Sequence, residues 1–134
     1  MAPVTRPLHS PSHVAVIDDD LSVRRSLMSL VRSLGHVVAG YQSADGFLAE
    51  DGLQQCDCIV TDIQMLGSDG IALKREVVRR GSSIPVIMLT ARDDLALHAR
   101  AKASGAFAVL RKPFDVNQFI DLLERALEVH FPAS

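Results

Sequence analysis

The chain is poor in cysteine, in long apolar runs and in excess positive charge, and each shortage closes a class of function. Its two cysteines, Cys56 and Cys58, stand one residue apart. That spacing suits neither a zinc ribbon nor a CxxC redox pair, and two thiols cannot build a disulfide framework. No apolar run reaches the ~18 residues needed to span a membrane. The opening stretch MAPVTRPLHSPS lacks the apolar core of a secretory signal, so a cytoplasmic protein is expected. Lysine and arginine total 14 against 16 aspartates and glutamates, a net charge of -2. That balance argues against direct nucleic-acid binding by this chain. Low-complexity segments and long-period repeats are missing too.

What is present is an ordinary globular composition, 48% hydrophobic and 22% charged over 134 residues. A chain of this size buries roughly two-thirds of its unfolded surface and needs no metal or disulfide staple. Residues 1–12, with Pro3, Pro7 and Pro11, read as a flexible tail. Residues 13–130 read as one folded domain, and 131–134 as a short C-terminal tail.

Within that domain, short β-branched runs alternate with helical periodicity. Strands are expected at residues 13–17, 36–40, 57–61, 84–89 and 106–110. The first helix carries Val23, Leu27, Leu30, Val31 and Leu34, starts after a capping Asp20 and stops at Gly35. Ser43 is expected to cap a second helix bearing Phe47 and Leu48. Helices follow at about 71–80 and 94–104, and Asp115 caps the last one. Apolar strands alternating with helices specify an α/β fold, a doubly wound five-stranded parallel sheet covered on both faces.

Ligands bind open parallel sheets outside the carboxyl ends of the strands. There the first strand offers Asp18, Asp19 and Asp20, the third Asp62, the fourth Thr90 and the fifth Lys112. Each has an ordinary explanation alone. An acidic run caps a helix, a threonine suits a strand, and a lysine or aspartate suits a solvated turn. Their coincidence at four strand ends points to one crevice holding carboxylates, a hydroxyl and an ammonium. Carboxylates 4 Å apart repel by roughly 4 kcal/mol at an effective dielectric near 20, so they call for a cation. All-oxygen ligands suit Mg²⁺, which keeps waters and accepts a phosphate oxygen. These are the parts for phosphoryl transfer onto or off an aspartate.

The segments VIDDDLSVRRSL, YQSADGFL and DCIVTDIQM, with Thr90-Ala91 and Lys112-Pro113-Phe114, resemble the receiver domain of two-component response regulators, FixJ-type receivers above all. The resemblance runs from about His13 to Val129. It implies the flavodoxin-like (βα)5 fold with strand order 2-1-3-4-5. It makes Asp62 the phosphoacceptor from a phosphohistidine on a sensor histidine kinase or phosphotransfer protein. Asp19 binds Mg²⁺ directly, Asp18 helps through water, and Asp62 and the backbone carbonyl of Gln64 complete the protein ligands. Thr90 and Lys112 hold the phosphoryl oxygens, and the Lys112–Pro113 bond is cis. The fourth helix, fifth strand and fifth helix form the output face, toward a downstream protein or a C-terminal effector domain. A phosphorylation-linked dimer through that face is a further expectation. Such a protein is no metabolic enzyme, although it catalyses its own phosphorylation and dephosphorylation.

Two positions depart from the family pattern. Val109 stands where the family usually has an aromatic switch residue, and Leu66 where it usually has proline. A branched aliphatic has no ring to swing, which keeps open a receiver that signals by binding without phosphorylation. A haloacid-dehalogenase-type phosphohydrolase is the competing enzyme reading, on Asp18-x-Asp20-x-Ser22. It leaves Asp62 without a purpose and lacks a later strand with an acidic pair. A flavin-binding domain would need a phosphate loop where the acidic run stands.

The remaining residues draw bland expectations. Alternation points Cys56 and Cys58 to one face as reduced, partly buried thiols. Arg24 and Arg25 form a solvated helix face, and the five histidines make no metal spacing. Ser22, Val23, Ser26 and Ser29 form a stripe that either, by resemblance, meets the kinase or is plain solvated surface. Phe114 either packs on the same partner or folds inward.

Overall fold

The computed structural model describes residues 11–65, 69–91 and 95–130. The strands are β1 (His13–Ile17), β2 (Val37–Tyr41), β3 (Cys58–Asp62), β4 (Val86–Thr90) and β5 (Ala108–Arg111). The helices are α1 (Leu21–Ser33), α2 (Ala44–Ala49), α3 (Gly70–Arg79), α4 (Leu95–Ala103) and α5 (Val116–His130). All strand pairs are parallel, in the order β2-β1-β3-β4-β5 expected of the receiver architecture. Leu66 and the tails at 1–10 and 131–134 lie outside the described residues. Ser12, at the edge of the segment read as a tail, is buried, and its carbonyl accepts the Val37 N–H at 2.8 Å.

Alternation along the strands divides the core into two layers. Ala15, Ile17, Ile59, Val86 and Met88 face α2, α3 and α4, which contribute Ala44, Phe47, Ile71, Leu73, Val77 and Ala101. Val14, Val16, Val60, Ile87 and Leu89 face α1 and α5, which contribute Leu27, Val31, Phe119, Leu123 and Leu127. On α1, α2 and α5 the inward residues stand three or four apart, the spacing of one helical face. Phe114 folds inward, its ring 5.4 Å from that of Phe119.

Caps fix where the helices begin. The Asp20 carboxylate accepts the Val23 N–H, the Ser43 hydroxyl accepts the Gly46 N–H and the Asp115 carboxylate accepts the Gln118 N–H, as the sequence predicts. Asp69 does the same for α3 through the Ala72 N–H. Gly35, at φ 92°, takes the left-handed conformation that ends α1.

The structure corrects several local expectations. Strands β2 to β5 start one or two residues later than predicted, because the ladder pairs Val14 with Cys58, Ile59 with Val86 and Ile87 with Ala108. Asp62 and Thr90 are therefore the last residues of their strands. A 3-10 turn at Gly52–Gln55, entered through a left-handed Asp51 (φ 56°), was not foreseen. Helix α4 buries only Ala101. Its alanine-rich sequence supplies helix propensity without an apolar stripe, so packing holds it lightly.

The thiols do not share a face. Cys58 opens β3 and joins the α1–α5 layer, whereas Cys56 precedes the strand, escapes its pleat and joins the α2–α4 layer. Both are free and buried. Burial pushes the Cys56 thiol up to about 12, with Asp57 adding to the effect, and pushes Cys58 up as well. Only the thiolate is nucleophilic, and at pH 8 a thiol of that pKa is ionised to about one part in 10⁴. Native protein should therefore resist thiol reagents, and both cysteines should react after denaturation in guanidinium. Stoichiometric labelling of the native protein within minutes would contradict this burial.

Candidate active site

The strand ends converge where the sequence placed the chemistry. Asp18 follows β1 directly, and its N–H extends the ladder to the Tyr41 carbonyl at 3.1 Å. Its side chain is 1% exposed. One carboxylate oxygen accepts the Asp20 N–H at 2.9 Å, and the other faces Lys112 Nζ at 3.4 Å. Asp62 ends β3 with its side chain 14% exposed. Its Oδ1 accepts the Gln64 N–H at 3.1 Å, and its Oδ2 accepts from Lys112 Nζ at 3.1 Å. One ammonium thus bridges carboxylates from two neighbouring strands.

Backbone bonds hold the frame. The Ile63 N–H donates to the Leu89 carbonyl at 2.8 Å, continuing β3 past Asp62. Thr90, 3% exposed, ends β4, and its carbonyl accepts the Lys112 N–H at 2.7 Å. A shift at Thr90 is therefore felt at Lys112 through one hydrogen bond. The Lys112–Pro113 peptide is cis, as the resemblance implied. Asp19 is exposed beside Asp18 in the turn before α1.

The electrostatics follow from burial and proximity. Burial raises the Asp18 carboxyl above its ordinary value; the Asp20 N–H and Lys112 oppose that rise, while the nearby Asp62 carboxylate adds to it. Burial is also the largest single influence on Lys112, pushing its amine down. The hydrogen bonds and attraction from Asp62 and Asp18 together outweigh it, and the amine stands above its ordinary value. The charged lysine is what allows two carboxylates to face one another here.

These residues are an all-oxygen donor set with positive charge already drawn to its centre, which fits a hard cation such as Mg²⁺. Among the described residues, no three His, Cys, Asp or Glu side chains converge closely enough to cage a metal unaided. Mg²⁺ needs no such cage, because it keeps several waters and takes substrate oxygens as ligands.

The response regulator receiver domain model matches residues 14–124. The chain belongs to this family. It is 36% identical over 114 residues to the DNA-binding transcriptional regulator NtrC of Salmonella typhimurium, covering 85% of this chain and 24% of that protein. It is 36% identical over 123 residues to the transcriptional regulatory protein FixJ of Bradyrhizobium diazoefficiens, covering 91% of this chain and 60% of that protein. The crystal structure of FixJ-N superposes with a TM-score of 0.81 at 32% identity, covering 89% of this chain and 95% of that one. The chain thus spans about a quarter of the first of these regulators and 60% of the second.

Several features of this receiver escaped the sequence. Arg24 is no solvated residue, since its Nη1 donates to the Asp18 carbonyl at 2.7 Å and clamps the turn carrying the acidic run. The signal was an arginine one helical turn after the Asp20 cap, close enough to fold back. Gly70 is buried at the start of α3, and its N–H donates to the Ile63 carbonyl at 2.8 Å, directly behind Asp62. Val109 is half-buried, pairs in register with Met88 and packs on the α2–α4 layer. A cleft of about 530 Å³ runs along β2 from Val37 to Tyr41 beside the Gly52–Gln55 turn, and neither Asp18 nor Asp62 lines it. Among the described residues no helix is long and apolar enough to cross a membrane.

Proposed function

We propose that residues 13–130 form the phosphorylation-dependent switch of a two-component system, with Asp62 as phosphoacceptor. The observation that carries this reading is Lys112 Nζ held at 3.1 Å from Asp62 and 3.4 Å from Asp18. An Asp62 oxygen attacks the phosphorus of a phosphohistidine on a sensor kinase or phosphotransfer protein. The O–P bond forms, the P–N bond breaks, and the imidazole nitrogen takes up a proton. Mg²⁺, held by Asp18, Asp19, Asp62 and the Gln64 carbonyl, would supply positive charge to the phosphoryl oxygens. Lys112 and Thr90 bind those oxygens, Lys112 turning from the carboxylates toward the transferred group.

The acyl phosphate adds about -1.5 to -2 charge at the end of β3. Thr90 and Lys112 follow the new oxygens, and α4 is displaced with them. Helix α4 buries one side chain, so displacing it costs little. The face of α4, β5 and α5 is accordingly the output surface, toward a downstream protein, an effector domain or a phosphorylation-linked second copy. Phosphoryl contacts contributing about 1–3 kcal/mol differentially shift the population several-fold to a hundredfold.

Intact mass after incubation with acetyl phosphate and Mg²⁺ tests the reading. One phosphoryl adduct is expected on the wild type and none on Asp62→Asn or in EDTA. A folded wild type that gains no adduct and binds no beryllofluoride would instead support signalling by binding alone.

A further inference from the structure

Charge on this receiver is segregated along the α2–α4 face. Residues 33–73 contain no lysine or arginine, while Asp45, Glu50, Asp51, Asp57, Asp62 and Asp69 fall within them. Helix α3 and its cap then carry Lys74, Arg75, Arg79 and Arg80 against Glu76 alone. Helices α2 and α3 pack on the same face of the sheet and are neighbours there, since they flank β3 in sequence.

The surface charges of the two helices are not spent on each other. Glu76 takes both Arg79 and Arg80 within α3. Among the described residues, no salt bridge reaches Asp45, Glu50, Asp51 or Arg75, all of which are exposed. An acidic α2 and a basic α3 therefore follow one another on this face. Val78 stands on the basic one, 56% exposed.

We propose that this face binds a second copy of the chain, α2 of each on α3 of the other. Both helices run against parallel strands and so point the same way. A two-fold axis along them, between α2 and α3, lays α2 of one copy over α3 of the other and does so twice. Such a contact is isologous and closes at two subunits. The exposed acids Asp45, Glu50 and Asp51 of each copy then face the exposed bases Arg75, Arg79 and Arg80 of the other. The surface is separate from the α4, β5 and α5 output face, so the dimer does not require Asp62 to be phosphorylated.

Sedimentation of the unphosphorylated protein over a concentration series tests it. Association should weaken at least tenfold between about 50 and about 500 mM salt, because exposed pairs are screened. A variant with Arg75→Glu and Arg80→Glu should be monomeric, and so should one with Asp45→Lys and Glu50→Lys, each folded by thermal melting. Mixed, the two should form a heterodimer, because acid then faces base at both contacts. A wild type that stays monomeric at low salt overturns the proposal. So does association that persists in either variant alone, or a mixture of folded variants that does not associate.

Discussion

Replacing Lys112 with alanine should lower the stability of metal-free protein by about 3 kcal/mol and slow Asp62 phosphorylation about a hundredfold. The stability loss comes from Asp18, whose side chain is 1% exposed and whose second oxygen faces Lys112 Nζ. Without the ammonium, that buried carboxylate confronts Asp62 with no cation between them. Removing one partner of a buried pair costs about 3–5 kcal/mol; the low end applies because the Lys112 side chain is 21% exposed. The two effects separate under added metal. Millimolar Mg²⁺ should neutralise the carboxylates and restore most of the stability. It cannot replace the donor to the transferring phosphoryl oxygen, so the rate should stay low. Urea unfolding with EDTA or Mg²⁺, beside time-resolved intact mass, reads both. An unchanged unfolding midpoint in EDTA would mean the lysine does not hold the carboxylates together.

The fold was legible because its signals are local and repeat. A buried parallel strand such as Val14-Ala15-Val16-Ile17 has no polar alternation, and a helix such as α1 places Leu27 and Val31 one turn apart. What the sequence hid was register. A strand's pairing partner decides its first residue, and ladder bonds from distant residues are not written locally. That is why β3 was read from Asp57 and Cys56 was assigned to the pleat it precedes. The 3-10 turn was hidden because its entry depends on one left-handed aspartate.

At the site, residue types and strand ends were legible, and the links between them were not. Asp18, Asp62 and Lys112 come together as the positions of their strands require. The Arg24 clamp on the Asp18 carbonyl needs the turn geometry set by Asp20, so spacing alone suggested a solvated face. Lightness of packing at α4 was also invisible, since an alanine-rich stretch looks equally helical whether anchored or loose. Glycine is harder still, because its role is defined by what surrounds an atom it lacks.

Gly70→Ala should therefore damage the site from behind. A Cβ there would stand 2.8 Å from the Asp62 carbonyl oxygen, 3.1 Å from Ile63 Cα and 3.3 Å from Thr61 Cγ2. Two of these are backbone atoms at the end of β3, which cannot rotate away as a side chain can. Either α3 lifts off, losing the Gly70 to Ile63 hydrogen bond, or the end of β3 shifts with Asp62. Overpacking of this kind costs about 3 kcal/mol, and alanine's better helix propensity offsets at most about 1, leaving about 2 kcal/mol net. Phosphorylation should slow at least tenfold in the protein that remains folded, because a displacement of about 1 Å at a reacting carboxylate is enough for that. Gly35→Ala is the control. Gly35 has a positive φ of 92° and nothing within 4 Å of an added Cβ. Strain alone should cost it about 1 kcal/mol, far from the carboxylates, with the phosphorylation rate unchanged. Chemical denaturation gives the two stabilities, and intact mass gives the two rates. If Gly70→Ala is destabilised yet accepts phosphate as fast as Gly35→Ala, then α3 lifts and β3 stays. The phosphoacceptor would then be held by the sheet alone, without help from the helix that follows it.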